Sequence, residues 1–228
     1  MAKRLNKNLV VALTAISFVI MTAAGIALVY LLQERNPERF VKLGDEAAAK
    51  QPPDWAAARQ YYGQAYEVSQ DPVYLIKVGD VCLEQGEERF AMDAWRQAVM
   101  YIPDPTEEGK VDPNGLTDPK KLKDLKDLKE VYEKQIDYLL EAYQGGAGPA
   151  GWIELKTMAE KLLGLDAKSH KGIFALGRTL IELANRGQEM GNEAEGVAKI
   201  EEAAAAAPDV LEYGIQLAQY HVDRKSVV

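Results

Sequence analysis

Residues 72–105 read PVYLIKVGDVCLEQGEERFAMDAWRQAVMYIPDP, two apolar patterns of helical period separated by Gly86. The first pattern has steps of one, three and four residues and consists of Leu75, Val78, Gly79 and Cys82. The second has steps of three and four residues and consists of Ala91, Trp95, Ala98 and Tyr101. Pro103 cannot continue a helix, so it ends the second pattern. The stretch therefore predicts two helices joined by a short turn.

Small residues on both patterns predict that the two helices approach each other closely. Gly79 and Ala98 lack bulk, which leaves Trp95 and Leu75 to fill the layer beside them. One helix pair cannot bury its apolar surface alone, so further pairs must stack against it.

The pattern resembles the tetratricopeptide repeat (TPR). That repeat has an apolar or aromatic residue, Leu-Gly and an aromatic in its first helix, then Ala, an aromatic and a closing Pro. This chain carries Leu75-x-x-Val78-Gly79-x-x-Cys82, followed by Ala91-x-x-x-Trp95-x-x-Ala98 and Pro103. The resemblance implies an all-α, right-handed solenoid of helix pairs that serves as a protein-binding scaffold. It names no ligand.

Other parts of the chain carry the same pattern to different degrees. We expect repeats at about 37–71, 72–105 and 170–208, a degenerate one at 119–166 and a partial one at 209–228. The first repeat shows Phe40-x-x-Leu43-Gly44-x-x-Ala47, and the fourth shows Ile173-x-x-Leu176-Gly177-x-x-Leu180. The residues expected to pack the repeats are Leu43, Gly44, Ala58, Tyr62, Ala65, Val78, Gly79, Ala91, Trp95, Ala98, Leu176, Gly177 and Ala203.

The N-terminal part differs in composition from the rest. Residues 1–8 form a short basic arm, and residues 9–32 carry no charge. As a helix the uncharged segment is about 36 Å long, more than the roughly 30 Å hydrocarbon core of a bilayer. It is therefore expected to be a transmembrane signal anchor; a cleaved signal peptide and a buried soluble helix are the alternatives.

The charge distribution predicts an orientation for this anchor. Lys3, Arg4 and Lys7 precede the apolar segment, and all 35 acidic residues follow it. The positive-inside rule then leaves the N-terminus in the cytoplasm and exports residues 33–228, to the periplasmic side in a bacterium. The expected localisation is that of a single-pass membrane protein.

Residues that could carry chemistry are few. The single Cys82 lies on an apolar face, and neither His170 nor His221 has a second ligand at metal-binding spacing. The loop 104–119 contains Asp112, Asn114 and Asp118 but does not match a calcium-binding loop. No catalytic motif is present, so we expect no enzyme, no cofactor and no metal, and the net charge of −8 argues against nucleic-acid binding.

The TPR resemblance also implies which side chains line the binding groove. By this resemblance, the residue that follows each Leu-Gly or Val-Gly step points into the groove. These residues are Asp45, Asp80 and Arg178. Two acids there favour a basic or an apolar segment of a partner protein.

Two further expectations concern the C-terminal part. Val210, Leu217 and Tyr220 would form an apolar face without a following helix, so the chain either continues or self-associates there. As an alternative to an anchored, exported scaffold, residues 1–228 could be the anchor and spacer of a larger membrane enzyme.

Overall fold

The computed structural model describes residues 36–106, 111–144 and 146–225, together with residues 17, 18, 20–22 and 25. The chain divides into two compact units, Met1–Ala91 and Met92–Val228.

The first unit contains three amphipathic helices, each packed on the next: α1 (Pro37–Ala48), α2 (Trp55–Ser69) and α3 (Val73–Glu84). Asn36 and Asp54 cap the first two, because their side chains accept hydrogen bonds from the backbone N–H groups of Glu38 and Ala57. A fourth helix, α4 (Glu88–Tyr101), begins in this unit and continues into the second.

A small apolar core holds α1 to α3 together. Its buried members are Ala47, Ala58, Tyr62 and Val81. Gly44 lies directly against Tyr62: a Cβ atom added at Gly44 would stand only 2.5 Å from Cε1 of the ring. The missing side chain at Gly44 therefore leaves space for the Tyr62 ring of α2 to pack against α1.

The second unit contains α5 (Pro119–Ala142), α6 (Pro149–Leu165), α7 (His170–Asn185), α8 (Glu193–Ala206) and α9 (Leu211–Lys225). Consecutive helices pack on each other from α5 to α9, and α5 also contacts α7. A short 3₁₀ turn, Pro113–Gly115, lies before α5. Ser169 caps α7 by accepting a hydrogen bond from the backbone N–H of Gly172.

Helices α7 and α8 cross with their backbones in contact. A Cβ atom at Gly177 would lie 2.7 Å from the carbonyl oxygen of Gly196, and one at Gly196 would lie 2.7 Å from that of Gly177. Ile200 fills the space next to this crossing and is 2 % exposed. The two glycines are therefore the closest point between the helices of this pair.

The all-α expectation is confirmed for the residues that the structure describes, and consecutive helices pack on each other from α1 to α3 and from α5 to α9. Of the residues expected to pack the second repeat, Val78 is half-buried, while Gly79, Ala91, Trp95 and Ala98 are buried. The exact repeat boundaries stay predictions.

The expected membrane location is corrected. Within the described part of the chain, every helix lacks the length or the apolar character that crossing a bilayer requires. The longest, α5, has 24 residues but carries Lys and Asp along its length. This finding contradicts a single-pass protein with an exported domain. The basic arm 1–8 lies outside the described residues, as does most of the segment 9–32.

Candidate functional site

Asp45, the first expected groove residue, is engaged by partners within its own unit. Its Oδ1 atom accepts a 2.6 Å hydrogen bond from the Tyr62 hydroxyl and a 3.0 Å hydrogen bond from Lys77 Nζ. Lys77 Nζ also lies 4.9 Å from the centre of the Tyr62 ring. One carboxylate thus links α1 to both α2 and α3.

These contacts decide the ionisation of the cluster. Partial burial works against the charged form of Asp45, but the hydrogen bonds from Tyr62 and Lys77 and the lysine charge outweigh it, so its pKa is lowered. Burial, followed by the neighbouring Asp45 carboxylate, raises the pKa of Tyr62. Around neutral pH the cluster therefore holds a carboxylate, an ammonium group and a neutral phenol, and the charge of Asp45 is largely compensated.

Asp80, the second expected groove residue, lies three residues after Lys77 on α3. Its side chain is half-buried, and its charge contributes to the raised pKa of Tyr62. The structure therefore brings Asp80 close enough to the Asp45 cluster to interact with it electrostatically. Together with Lys77 this surface is mixed in charge rather than uniformly acidic.

Arg178, the third expected residue, lies in a groove of the second unit. The carbon at the centre of its guanidinium group is 5.8 Å from the centre of the buried Trp152 ring, a cation–π arrangement. Burial lowers its pKa, while the charges of Glu182 and Glu212 act in the opposite direction. Within the described residues the guanidinium makes no hydrogen bond or close ion pair. Its donors are therefore available to a ligand.

The groove around Arg178 is polar and has a volume of about 500 Å³. Most of its other lining side chains carry amide or carboxylate groups: Gln144, Glu182, Asn185, Glu212, Gln216 and Gln219. Ile181, Ile200 and Tyr220 complete the lining. Side chains of α7, α8 and α9 and of the turn after α5 thus converge on one opening.

Some polar side chains at the edge of the groove have ion-pair or hydrogen-bond partners, and others have none among the described residues. Glu182 pairs with Arg186 at 3.3 Å, and the Tyr220 hydroxyl donates a 2.6 Å hydrogen bond to Glu193. The amides of Gln216 and Gln219, in contrast, have no hydrogen-bond partner among the described residues. They can therefore donate to and accept from a bound molecule.

The sequence alone identified Arg178 but not the amides. Gln216 and Gln219 lie at a spacing of three residues on α9, and this spacing was the only available signal. It becomes informative once α9 is known to pack on α8 and to face Arg178 across the groove.

The exposed apolar face of α9 differs from the expected one. Tyr213 is buried and lies against Phe174 with 4.3 Å between ring centres, while Leu217 and Tyr220 are half-buried. The exposed apolar side chains are instead Leu211 (77 %), Ile215 (53 %) and Val222 (64 %). Tyr213, Leu217 and Tyr220 lie on one face of α9, and this face is partly buried instead of exposed because Tyr213 contacts Phe174 of α7.

No group of three or more His, Cys, Asp or Glu side chains in the described ranges is arranged to hold a metal ion. His170 instead shares a 2.8 Å hydrogen bond between its Nδ1 atom and the Tyr213 hydroxyl.

Comparison with known proteins places few constraints on function. No family model matches the chain, and no curated protein matches it. Among solved structures, the complex of the TPR2AB domain of yeast Sti1 with pHSP90 matches with 17% sequence identity and a TM-score of 0.29. That match covers 83% of this chain and 84% of the other. At this TM-score it adds nothing to the helix contacts described above.

Proposed function

We propose that the chain is a protein-interaction scaffold that binds an extended segment of a partner protein in the groove around Arg178. The observation that carries the proposal is the guanidinium group itself, which is oriented by Trp152 and has no internal acceptor among the described residues. Arg178 is half-buried and its nitrogen atoms are not among the fully buried, unpaired atoms of the described residues, so a ligand oxygen can reach them and accept a charge-assisted hydrogen bond.

The uncommitted amides favour a peptide over a small charged ligand. An extended chain presents alternating N–H and C=O groups about every 3.3 Å, and each side-chain amide can bond to both. Gln216 and Gln219 border the groove on α9, and Gln144 borders it at the end of α5. The main chain of the bound segment would lie along these amides, with one carbonyl or carboxylate oxygen accepting from Arg178.

The surface near Asp45 and Asp80 supports this function less directly. For that surface the proposed ligand remains a basic or apolar segment of a partner protein. However, Asp45 already has Lys77 as its counter-ion at 3.0 Å. We therefore assign the principal contact to Arg178.

The proposal can be tested with a random twelve-residue peptide library displayed on phage. We expect peptides to be enriched on the intact chain and to bind roughly tenfold more weakly to Arg178→Gln, because a hydrogen bond to a charged donor contributes about 1.5 kcal/mol or more. Gln219→Ala should also weaken binding, by a smaller factor. Binding would be measured by fluorescence anisotropy of the enriched peptides.

Arg89→Gln provides the matched control, since Arg89 is an exposed arginine of α4 that does not line the groove. Its affinity should equal that of the unmodified chain. Equal affinities of all three variants, or a library without enrichment, would contradict the proposal.

A further inference from the structure

A second opening lies in the same unit, at the end of α4 and the start of the irregular connection to α5. It has a volume of about 610 Å³. Its lining is mostly apolar and comprises Val99, Met100, Ile102, Leu128, Tyr132 and Leu165. Asp104, Thr106, Lys161 and Gly164 complete it. We call this opening the α4–α6 cleft.

Of the two charged side chains in the cleft, Asp104 accepts hydrogen bonds, whereas Lys161 has no ion-pair partner among the described residues. The Asp104 Oδ1 atom accepts hydrogen bonds from the backbone N–H and the hydroxyl of Thr106, at 2.8 and 2.6 Å. Lys161 lies with its ammonium group 6.0 Å from the centre of the Tyr132 ring and has no ion-pair partner among the described residues. The cleft therefore offers one available positive charge beside an apolar wall.

Gly164 keeps the cleft open on the α6 side. A Cβ atom added there would meet no atom within 4 Å. Its neighbour Leu165 is 5 % exposed and supplies part of the wall. A side chain at position 164 would therefore enter free space and would not displace the helix.

The volume of the cleft and the charge of Lys161 together indicate which kind of molecule it can bind. An apolar cavity of about 150 Å³ holds one benzene ring, so this cleft has room for an elongated apolar group. Its size is within the range of about 300–1,000 Å³ that is typical of small-molecule sites. The available ammonium group of Lys161 complements a negative charge at one end of such a molecule.

We propose that the α4–α6 cleft binds an amphiphilic carboxylate, with its alkyl chain between α5 and α6 and its carboxylate at Lys161. This site is separate from the groove around Arg178 and does not depend on the function proposed for it.

The test uses dodecanoate below its critical micelle concentration, with binding to the full chain followed by isothermal titration calorimetry. We expect saturable binding of one equivalent. Lys161→Gln should weaken it on the order of fivefold, as for an exposed ion pair. Gly164→Leu should weaken it more than tenfold, because the new side chain occupies the space of the alkyl chain.

Three controls distinguish the site from general binding to apolar surface. Lys121→Gln, at an exposed lysine of α5 outside the cleft, and Arg178→Gln should both leave dodecanoate binding unchanged. Dodecyltrimethylammonium, with the opposite charge, should bind at least fivefold more weakly than dodecanoate. Thermal melting of each variant confirms that it is folded.

The inference is overturned if dodecanoate fails to bind at up to millimolar concentration. It is also overturned if a folded Gly164→Leu variant binds as tightly as the unmodified chain, or if the cationic amphiphile binds equally well.

Discussion

Replacing Gly177 with alanine tests the close crossing of α7 and α8. The added Cβ atom would lie 2.7 Å from the backbone carbonyl oxygen of Gly196 and 2.8 Å from Cγ1 of Ile200. Because one of these atoms belongs to the backbone, the helices must move apart, and overpacking of this kind costs about 1–3 kcal/mol. The better helix propensity of alanine returns up to about 1 kcal/mol. The net loss is therefore about 0–2 kcal/mol, or about 1 kcal/mol at the middle of this range.

Thermal unfolding followed by circular dichroism measures this effect. For a chain of this size about 1 kcal/mol corresponds to about 2–4 °C, so the Tm of Gly177→Ala should fall by about 2–4 °C. Gly63→Ala is the matched control, since Gly63 lies inside α2 and a Cβ atom there would meet nothing within 4 Å. Its Tm should rise by about 2–3 °C, because only the propensity term acts. If Gly177→Ala raised the Tm as much as the control does, the proposed contact between the two backbones would be refuted.

The remaining predictions concern pH and packing. The pKa of Asp45 is lower in the folded than in the unfolded chain, so ionised Asp45 stabilises the fold at pH values above 3.8. This stabilisation is lost as the pH falls through the folded pKa. In urea titrations, acid should therefore destabilise Asp45→Asn less than the unmodified chain. Burial and then the nearby acids raise the pKa of Tyr213 to about 12, so stability should fall as pH rises from 10 to about 12, and Tyr213→Phe should reduce that fall. Ala98→Leu adds three carbons at a position that is 0 % exposed and should cost about 1–3 kcal/mol; an unchanged urea midpoint would show that Ala98 is not at a tight helix contact.

The sequence predicted the helices because helix formation depends on local pattern. Gly44 and Tyr62 lie 18 residues apart, yet the repeat pattern assigned both to packing, and in the structure the ring lies against the glycine. The glycine of a Leu-Gly step lies where a neighbouring helix leaves no space for a side chain. A single sequence is therefore enough to locate such a position.

The electrostatic partners could not be predicted in the same way. Lys77 comes from a later helix than Asp45, and the Leu-Gly pattern contains no signal for the pair that they form. The partial burial of the expected apolar face of α9 likewise depends on Tyr213 packing against Phe174, a contact between residues 39 positions apart. The N-terminal apolar segment predicted a membrane span from composition alone, and the helices of the described residues do not support that location.

The central claim is that the groove around Arg178 holds an extended protein segment. It is tested most directly by titrating the isotopically labelled chain with a peptide enriched from the phage library and recording ¹H–¹⁵N NMR spectra. We predict that the Nε–H signal of Arg178 and the side-chain amide signals of Gln216 and Gln219 shift in proportion to occupancy, while the Nε–H signal of Arg89 stays in place. Shifts confined to residues outside this groove, with the Arg178 signal unchanged at saturation, would contradict the claim.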